Sequence, residues 1–169
     1  MFPWLLAVAM ASGPTFLPTD AALKAPERHV AAGGMAFTWS IVGEHLVGRL
    51  EAPTTGWVAV GFNDEPALAG SRLVMSAVVD GALVIEEHVA QPPGHPTREA
   101  LGGRSGLVTA AGQERDGRTT VDLILHLDPG DGLTPALARG QAIHLTLAWS
   151  HEDDFGHHSA MRTAVDVRL

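Results

Sequence analysis

The densest set of side chains able to do chemistry lies at residues 151–158, His-Glu-Asp-Asp-Phe-Gly-His-His. Imidazole and carboxylate donors together suit Zn²⁺, Cu²⁺ or Ni²⁺ when three or four of them converge. His151, Asp153, His157 and His158 are therefore candidate metal ligands if this loop folds back on itself. The spacing matches no established metal signature, and an acidic, histidine-bearing loop is most often simply solvated. The other histidines are weaker candidates: His88 and His95 flank a Pro-rich loop, and His126 and His144 read as exposed strand residues.

Catalytic constellations are harder to assemble. No serine sits in a strand, Gly-x-Ser-x-Gly, helix context. The glycine-rich run Gly102-Gly103-Arg104-Ser105-Gly106 opens no helix, so it reads as a loop and not as a phosphate cradle. Glu86 and Glu87 are adjacent on a strand, so they point to opposite faces and cannot share one reacting group. Cysteine is absent, which removes thiol nucleophiles, thiolate zinc sites and iron–sulfur clusters together. The expectation is a protein that is not an enzyme.

The elements that hold these residues read as short strands. From Met35 onward, apolar segments recur every 8–12 residues with turn residues between them, the pattern of an all-β sandwich or barrel. Nine candidate strands fall at 35–42, 45–52, 56–63, 72–79, 82–90, 105–113, 118–128, 141–150 and 162–169. Val121, Leu123, Leu125 and Leu127 share one face, with Asp122 and His126 on the other. Ile143, Leu145, Leu147 and Trp149 repeat the pattern, opposed by His144. Asp80-Gly81 and Asp116-Gly117 supply the positive φ that tight hairpins demand. Residues 132–140 suggest one short helix.

Composition agrees. The chain has 169 residues, 46% hydrophobic and 18% charged, enough for one packed domain and too apolar for disorder. Its formal net charge of −8 argues against a nucleic-acid partner, which requires a basic face. No apolar run is long enough to span a bilayer as a helix. The start, MFPWLLAVAMAS, has an apolar stretch closing on a small-x-small step, so residues 1–11 read as a signal peptide of an exported (periplasmic or secreted) protein. Residues 12–34 read as a linker or loose arm, and 35–169 as the sandwich.

The ordered set Phe37-Thr38-Trp39-Ser40, Gly56-Trp57-Val58-Ala59-Val60-Gly61-Phe62, Leu68-Ala69-Gly70-Ser71, Asp116-Gly117 and Leu147-Ala148-Trp149-Ser150 through His158-Ser159-Ala160 and Arg162 resembles the DOMON family. That family includes the cytochrome domain of cellobiose dehydrogenase and relatives of dopamine β-monooxygenase. The resemblance implies an antiparallel immunoglobulin-like β-sandwich outside the cytoplasm. In the haem-binding branch it also implies b-type haem held between a Met and a His. The His position falls on His158 and the Met position on Leu68, whose hydrocarbon has no lone pair to give to iron. Met75, seven residues on, shares a face with Leu73, Ala77 and Val79 and reads as core filler, though it is the nearest thioether. Arg72 stands where several relatives carry an acid, so no metal role is transferred to that turn. Trp39, Trp57 and Trp149 fall at core positions of the family.

The expected function is a ligand- or cofactor-binding module, in its sharper form an electron carrier with haem b on His158, serving a redox partner protein. The rival is a haem-free module on the same scaffold that binds a sugar, a divalent metal ion or a partner protein.

Overall fold

The computed structural model describes residues 27–169. The segment read as a signal peptide lies outside them. Ten strands run in order: β1 (Arg28–Ala32), β2 (Met35–Val42), β3 (His45–Ala52), β4 (Val58–Asn63), β5 (Arg72–Val79), β6 (Ala82–Val89), β7 (Leu107–Arg115), β8 (Arg118–His126), β9 (Ala142–Trp149) and β10 (Met161–Arg168). They form two five-stranded antiparallel sheets, ordered β1-β2-β3-β8-β7 and β10-β9-β4-β5-β6. The all-β sandwich expected from the sequence is the fold found.

Alternation builds the main core. Phe37, Trp39, Leu50, Val121, Leu123 and Leu125 of the first sheet close on Val58, Val60, Phe62, Val74, Leu145 and Leu147 of the second, all buried. Each such side chain removed from water contributes about 1.5–3 kcal/mol. On the solvent faces, Asp122 pairs with Arg49 at 2.7 Å, and His144 donates through Nδ1 to Asp166 at 2.8 Å. The Asp-Gly turns behave as read, with φ of 51° at Asp80 and 52° at Asp116.

Two expectations change. Residues 28–32, placed in the linker, form β1 and pair with β2 across the Gly33-Gly34 turn. Residues 132–140 form no helix; Pro135 interrupts them, and Leu137 instead inserts into the core while its N–H donates to the Leu127 carbonyl at 3.0 Å. Among the described residues the sole helical piece is a 3₁₀ turn at Glu99–Leu101.

Candidate cofactor cleft

An antiparallel sheet in a sandwich ordinarily turns a polar face to water. The second sheet does so only toward one side, at the His144–Asp166 pair. β4 is buried along its whole length, and β5 along all but its last residue. Its outer face carries a second apolar cluster: Trp57, Ala59, Leu73, Met75, Ala77, Ala90 and Ala148, with Leu68 and Phe155 packed on it. The near-continuous apolar runs of β4 and β5 are the sequence signature of strands covered on both sides.

Strand register lays out that face in rows. One row reads Glu86, Met75, Ala59, Ala148, Arg162 across β6, β5, β4, β9 and β10. The next reads His88, Leu73, Gly61, Thr146, Ala164. The central columns are thus built of Ala, Gly and Thr, and bulkier side chains stand to either side. The result is a trough, and with the loops above it a cleft of about 440 Å³. That volume lies within the range of small-molecule and cofactor sites.

Three loops raise the walls. The first, 64–71, carries Leu68. Asn63 Nδ2 donates to the Ala67 and Ala69 carbonyls at 2.7 and 3.0 Å, and Gly70 N–H donates to the Ala90 carbonyl at 2.8 Å. The second, 90–98, carries Pro92, Pro93 and His95. The His88 ring donates through Nδ1 to the His95 carbonyl at 2.7 Å. The third, 150–160, carries His157 and His158. Thr54 Oγ1 donates to the Ser150 carbonyl at 2.6 Å, and Ser150 Oγ donates to the His158 carbonyl at 3.2 Å. Ala160 N–H donates to the Trp149 carbonyl at 2.8 Å and closes the neck of that loop. Gly56 is required beside it, because a Cβ there would stand 2.5 Å from the His151 carbonyl carbon and the Ser150 oxygen.

The loops leave the sheet from opposite ends. Val58 pairs with Trp149 and Asn63 with His144. The loop after β9 therefore departs where β4 begins, and the loop after β4 departs at the other end. His158 and Leu68 reach the cleft from these two ends, and both line it together with Met75 and His157. All three residues singled out for a cofactor thus meet in one concavity. The His158 imidazole takes part in none of the hydrogen bonds among the described residues; only its backbone oxygen is engaged.

The metal set does not assemble. His151 packs edge-on against Trp149 with ring centroids 5.0 Å apart, and Asp153 is exposed outside the cleft. The loop backbone is committed to other bonds: Asp154 Oδ1 accepts from Gly156 N–H at 2.8 Å, and Trp57 N–H donates to the Glu152 carbonyl at 2.9 Å. Among the described residues no group of three or more His, Asp or Glu side chains is placed to hold a metal ion.

Arg72 is not a cleft residue. Its side chain turns inward with no solvent exposure and pairs with the equally buried Glu87. Glu86, as alternation predicts, points outward, 3.2 Å from His88 Nε2. Trp57 belongs to the cleft and not to the core between the sheets. His95, weighed in the sequence only as a weak donor, and Arg162, which entered only with the family pattern, also line the cleft. Burial and the neighbouring His88 lower the pKa of His95, so its neutral imidazole is favoured. Arg162 could have been found from its place opposite Ala148; His95 depends on how a proline loop folds back and left no local signal.

No protein-family model matches this sequence, and no curated protein matches it either. Solved structures do match. The cytochrome b domain of pyranose dehydrogenase from Coprinopsis cinerea superposes with a TM-score of 0.59 at 9% identity, over 79% of this chain and 76% of that one. The cytochrome domain of cellobiose dehydrogenase from Myriococcum thermophilum gives 0.55 at 10% identity, over 85% and 81%. The chain shares the β-sandwich fold of these cytochrome domains.

Proposed function

We propose that the chain is an electron-transfer module that catalyses no reaction itself and holds b-type haem in the cleft on the outer face of the second sheet, with His158 as an axial ligand. One observation carries this reading: Leu68, Met75 and His158, picked out in separate stretches of sequence, line a single apolar concavity in which the His158 ring has no hydrogen-bond partner among the described residues. The likeness to two cytochrome domains supports the same reading.

The residues present fit such a group. Ala59, Gly61 and Ala148 leave a floor without projecting side chains, as a flat macrocycle requires. Trp57, Leu73 and Leu68 supply apolar walls that exclude water. His158 offers an imidazole nitrogen. The Arg162 guanidinium at the β10 side is placed to pair with an acidic edge substituent. When bound, haem supplies a one-electron iron couple. The protein's part is to fix the axial donor, hold the dielectric low and leave an edge near the surface, the levers that set potential and access. His158 and His157 are exposed at the rim, so the cleft mouth is where a redox partner would dock. The net charge of −8 favours a partner with a basic face. Export to an extracytoplasmic compartment fits this role; among the described residues no helix is long and apolar enough to cross a membrane.

Titration of the purified chain with haemin tests the reading. A saturable Soret band at one equivalent is expected, and His158→Ala should weaken uptake at least about tenfold, or about 1.4 kcal/mol. A featureless titration, or a His158→Ala spectrum identical to wild type, refutes the electron-carrier assignment and leaves the haem-free binding module.

A further inference from the structure

We infer that His88 and His95 form an acid-sensitive latch: with His95 neutral it fastens the third loop to the second beside the cleft, and a proton taken up by His95 releases it. The inference concerns access to the cleft described above, and its first test needs no haem.

The hydrogen-bond roles follow from one carbonyl. His88 Nδ1 lies 2.7 Å from the His95 carbonyl, which can only accept, so that nitrogen carries a proton. The same Nδ1 stands 3.3 Å from His95 Nδ1. Two N–H groups cannot face each other across that gap, so His95 Nδ1 is bare and its single proton sits on Nε2. The rings meet edge to face with centroids 5.0 Å apart. His88 is 4% exposed, so it is His95, half-buried at the cleft wall, that has room to turn.

Phe155 is what the pair holds. Its backbone hydrogen-bonds the His95 ring, and its phenyl ring meets His88 edge-on at 6.0 Å. The two sides of this junction are unequal. The second loop is pinned to the sheet by backbone bonds: Val89 N–H donates to the Pro96 carbonyl at 3.0 Å, and Arg98 N–H to the Glu87 carbonyl at 2.8 Å. Residues 153–157 have no such anchors. Among the described residues, their other hydrogen bonds stay inside the turn, from Gly156 N–H to Asp154 Oδ1 and from His157 N–H to the Asp154 carbonyl. Loss of the latch therefore frees the tip that carries His157 and adjoins His158.

Acid is the trigger. A second proton on His95 must go to Nδ1, against the N–H of His88. The surroundings oppose that charge. His88 faces the ring from β6, while His157 and His158 of the third loop and Arg162 of β10 line the same cleft, and no carboxylate lines it. Glu86, also on β6, lies 3.2 Å from the other nitrogen of His88. Burial first, and His88 second, accordingly lower the pKa of His95. Closure is therefore full above the ordinary imidazole value of about 6.5 and is lost as pH falls through the lowered one.

The first test is amide hydrogen exchange of the full chain without haem, between about pH 7.5 and about pH 5. Protection at residues 154–157, corrected for the intrinsic rate, should fall by up to about tenfold per pH unit below the folded His95 value, while β4 and β9 keep theirs. His95→Gln offers an acceptor and a donor without a titratable nitrogen, so its tip should stay protected in acid. His88→Phe keeps a ring but loses the N–H, and should leave the tip unprotected at every pH. In haemin-loaded protein, release to apomyoglobin should quicken in acid more for the wild type than for His95→Gln. Wild-type protection that is flat with pH, a His95→Gln tip that loosens as the wild type does, or equal quickening of release in the two overturns the latch. Absence of a Soret band overturns the haem reading alone, and the exchange data then decide the latch by themselves.

Discussion

The Arg72–Glu87 pair is the strongest single test of how the cleft is held. Both side chains are fully buried. Glu87 accepts from Arg72 Nε at 2.6 Å, from Ser105 Oγ at 2.7 Å and from the Gly106 N–H. Arg72 Nη1 donates in turn to the His126 carbonyl at 2.7 Å. The pair therefore ties β5 and β6 of the cleft sheet to the end of β8 and the start of β7 in the other. Glu87→Gln changes no volume, but it leaves a guanidinium facing a neutral amide whose NH₂ meets donors. Breaking a buried pair in this way costs about 3–5 kcal/mol, which lowers Tm by roughly 6–20 °C for a chain of this size.

Arg72→Met should cost about as much, by stranding the carboxylate. The double variant Arg72→Met/Glu87→Leu strands no charge. It leaves the Gly106 N–H and the His126 carbonyl without these partners, at about 1–3 kcal/mol each, while the exposed Ser105 can turn to water. The double loss should thus fall short of the sum of the singles by at least about 2 kcal/mol. Urea unfolding of the four proteins gives each value, provided m is unchanged among them. Losses that simply add, or a Glu87→Gln loss below about 1 kcal/mol, would refute the claim that these charges need each other. Since β5 carries Met75 and Leu73, the singles should also take up haemin less tightly than the double.

Three further predictions follow from separate parts of the molecule. Two bonds from Arg98, 2.7 and 2.8 Å long, hold the Asp131 carboxyl well below the usual carboxylate range. Its stabilisation is full above the unfolded carboxylate pKa of about 4 and is lost as pH falls toward the depressed folded value; Asp131→Asn should be less stable near pH 7, the gap in Tm closing in acid. Ala148→Leu should project into the trough and weaken haemin binding at least about tenfold with little change in urea midpoint, whereas unchanged uptake would place the ligand elsewhere. Gly56→Ala should destabilise by about 1–3 kcal/mol and disturb His158, because the added methyl meets backbone on every side and nothing flexible can yield; a neutral effect in urea melts would show that the loop neck is looser than its contacts imply.

What the sequence made legible follows from how local each signal is. β8 and β9 alternate strictly, so their inward residues, from Val121 to Leu125 and from Ile143 to Leu147, could be read without partners. β1 could not: Arg-His-Val-Ala-Ala is short, follows Pro26 and shows no clear alternation, and it becomes a strand because β2 offers an edge. The same contrast runs through the site. The face shared by Met75, Leu73 and Ala77 was read correctly, but not the side of the sheet on which it lies. Period two says which residues lie together, not whether their side faces the other sheet or a set of loops. The runs of β4 and β5, apolar at nearly every position, held the missing information, since a strand with two greasy faces must be covered twice. The cover on the second face comes from three loops that meet only after the chain has folded. The histidines they carry were therefore the least legible: His158 stood out as a cofactor residue through a resemblance alone, and His95 only as a weak donor beside a Pro-rich loop. The metal set at 151–158 failed for a related reason. Closeness in sequence puts donors in one loop but does not converge them: His151 packs on Trp149, and Asp153 lies outside the cleft that His157 and His158 line.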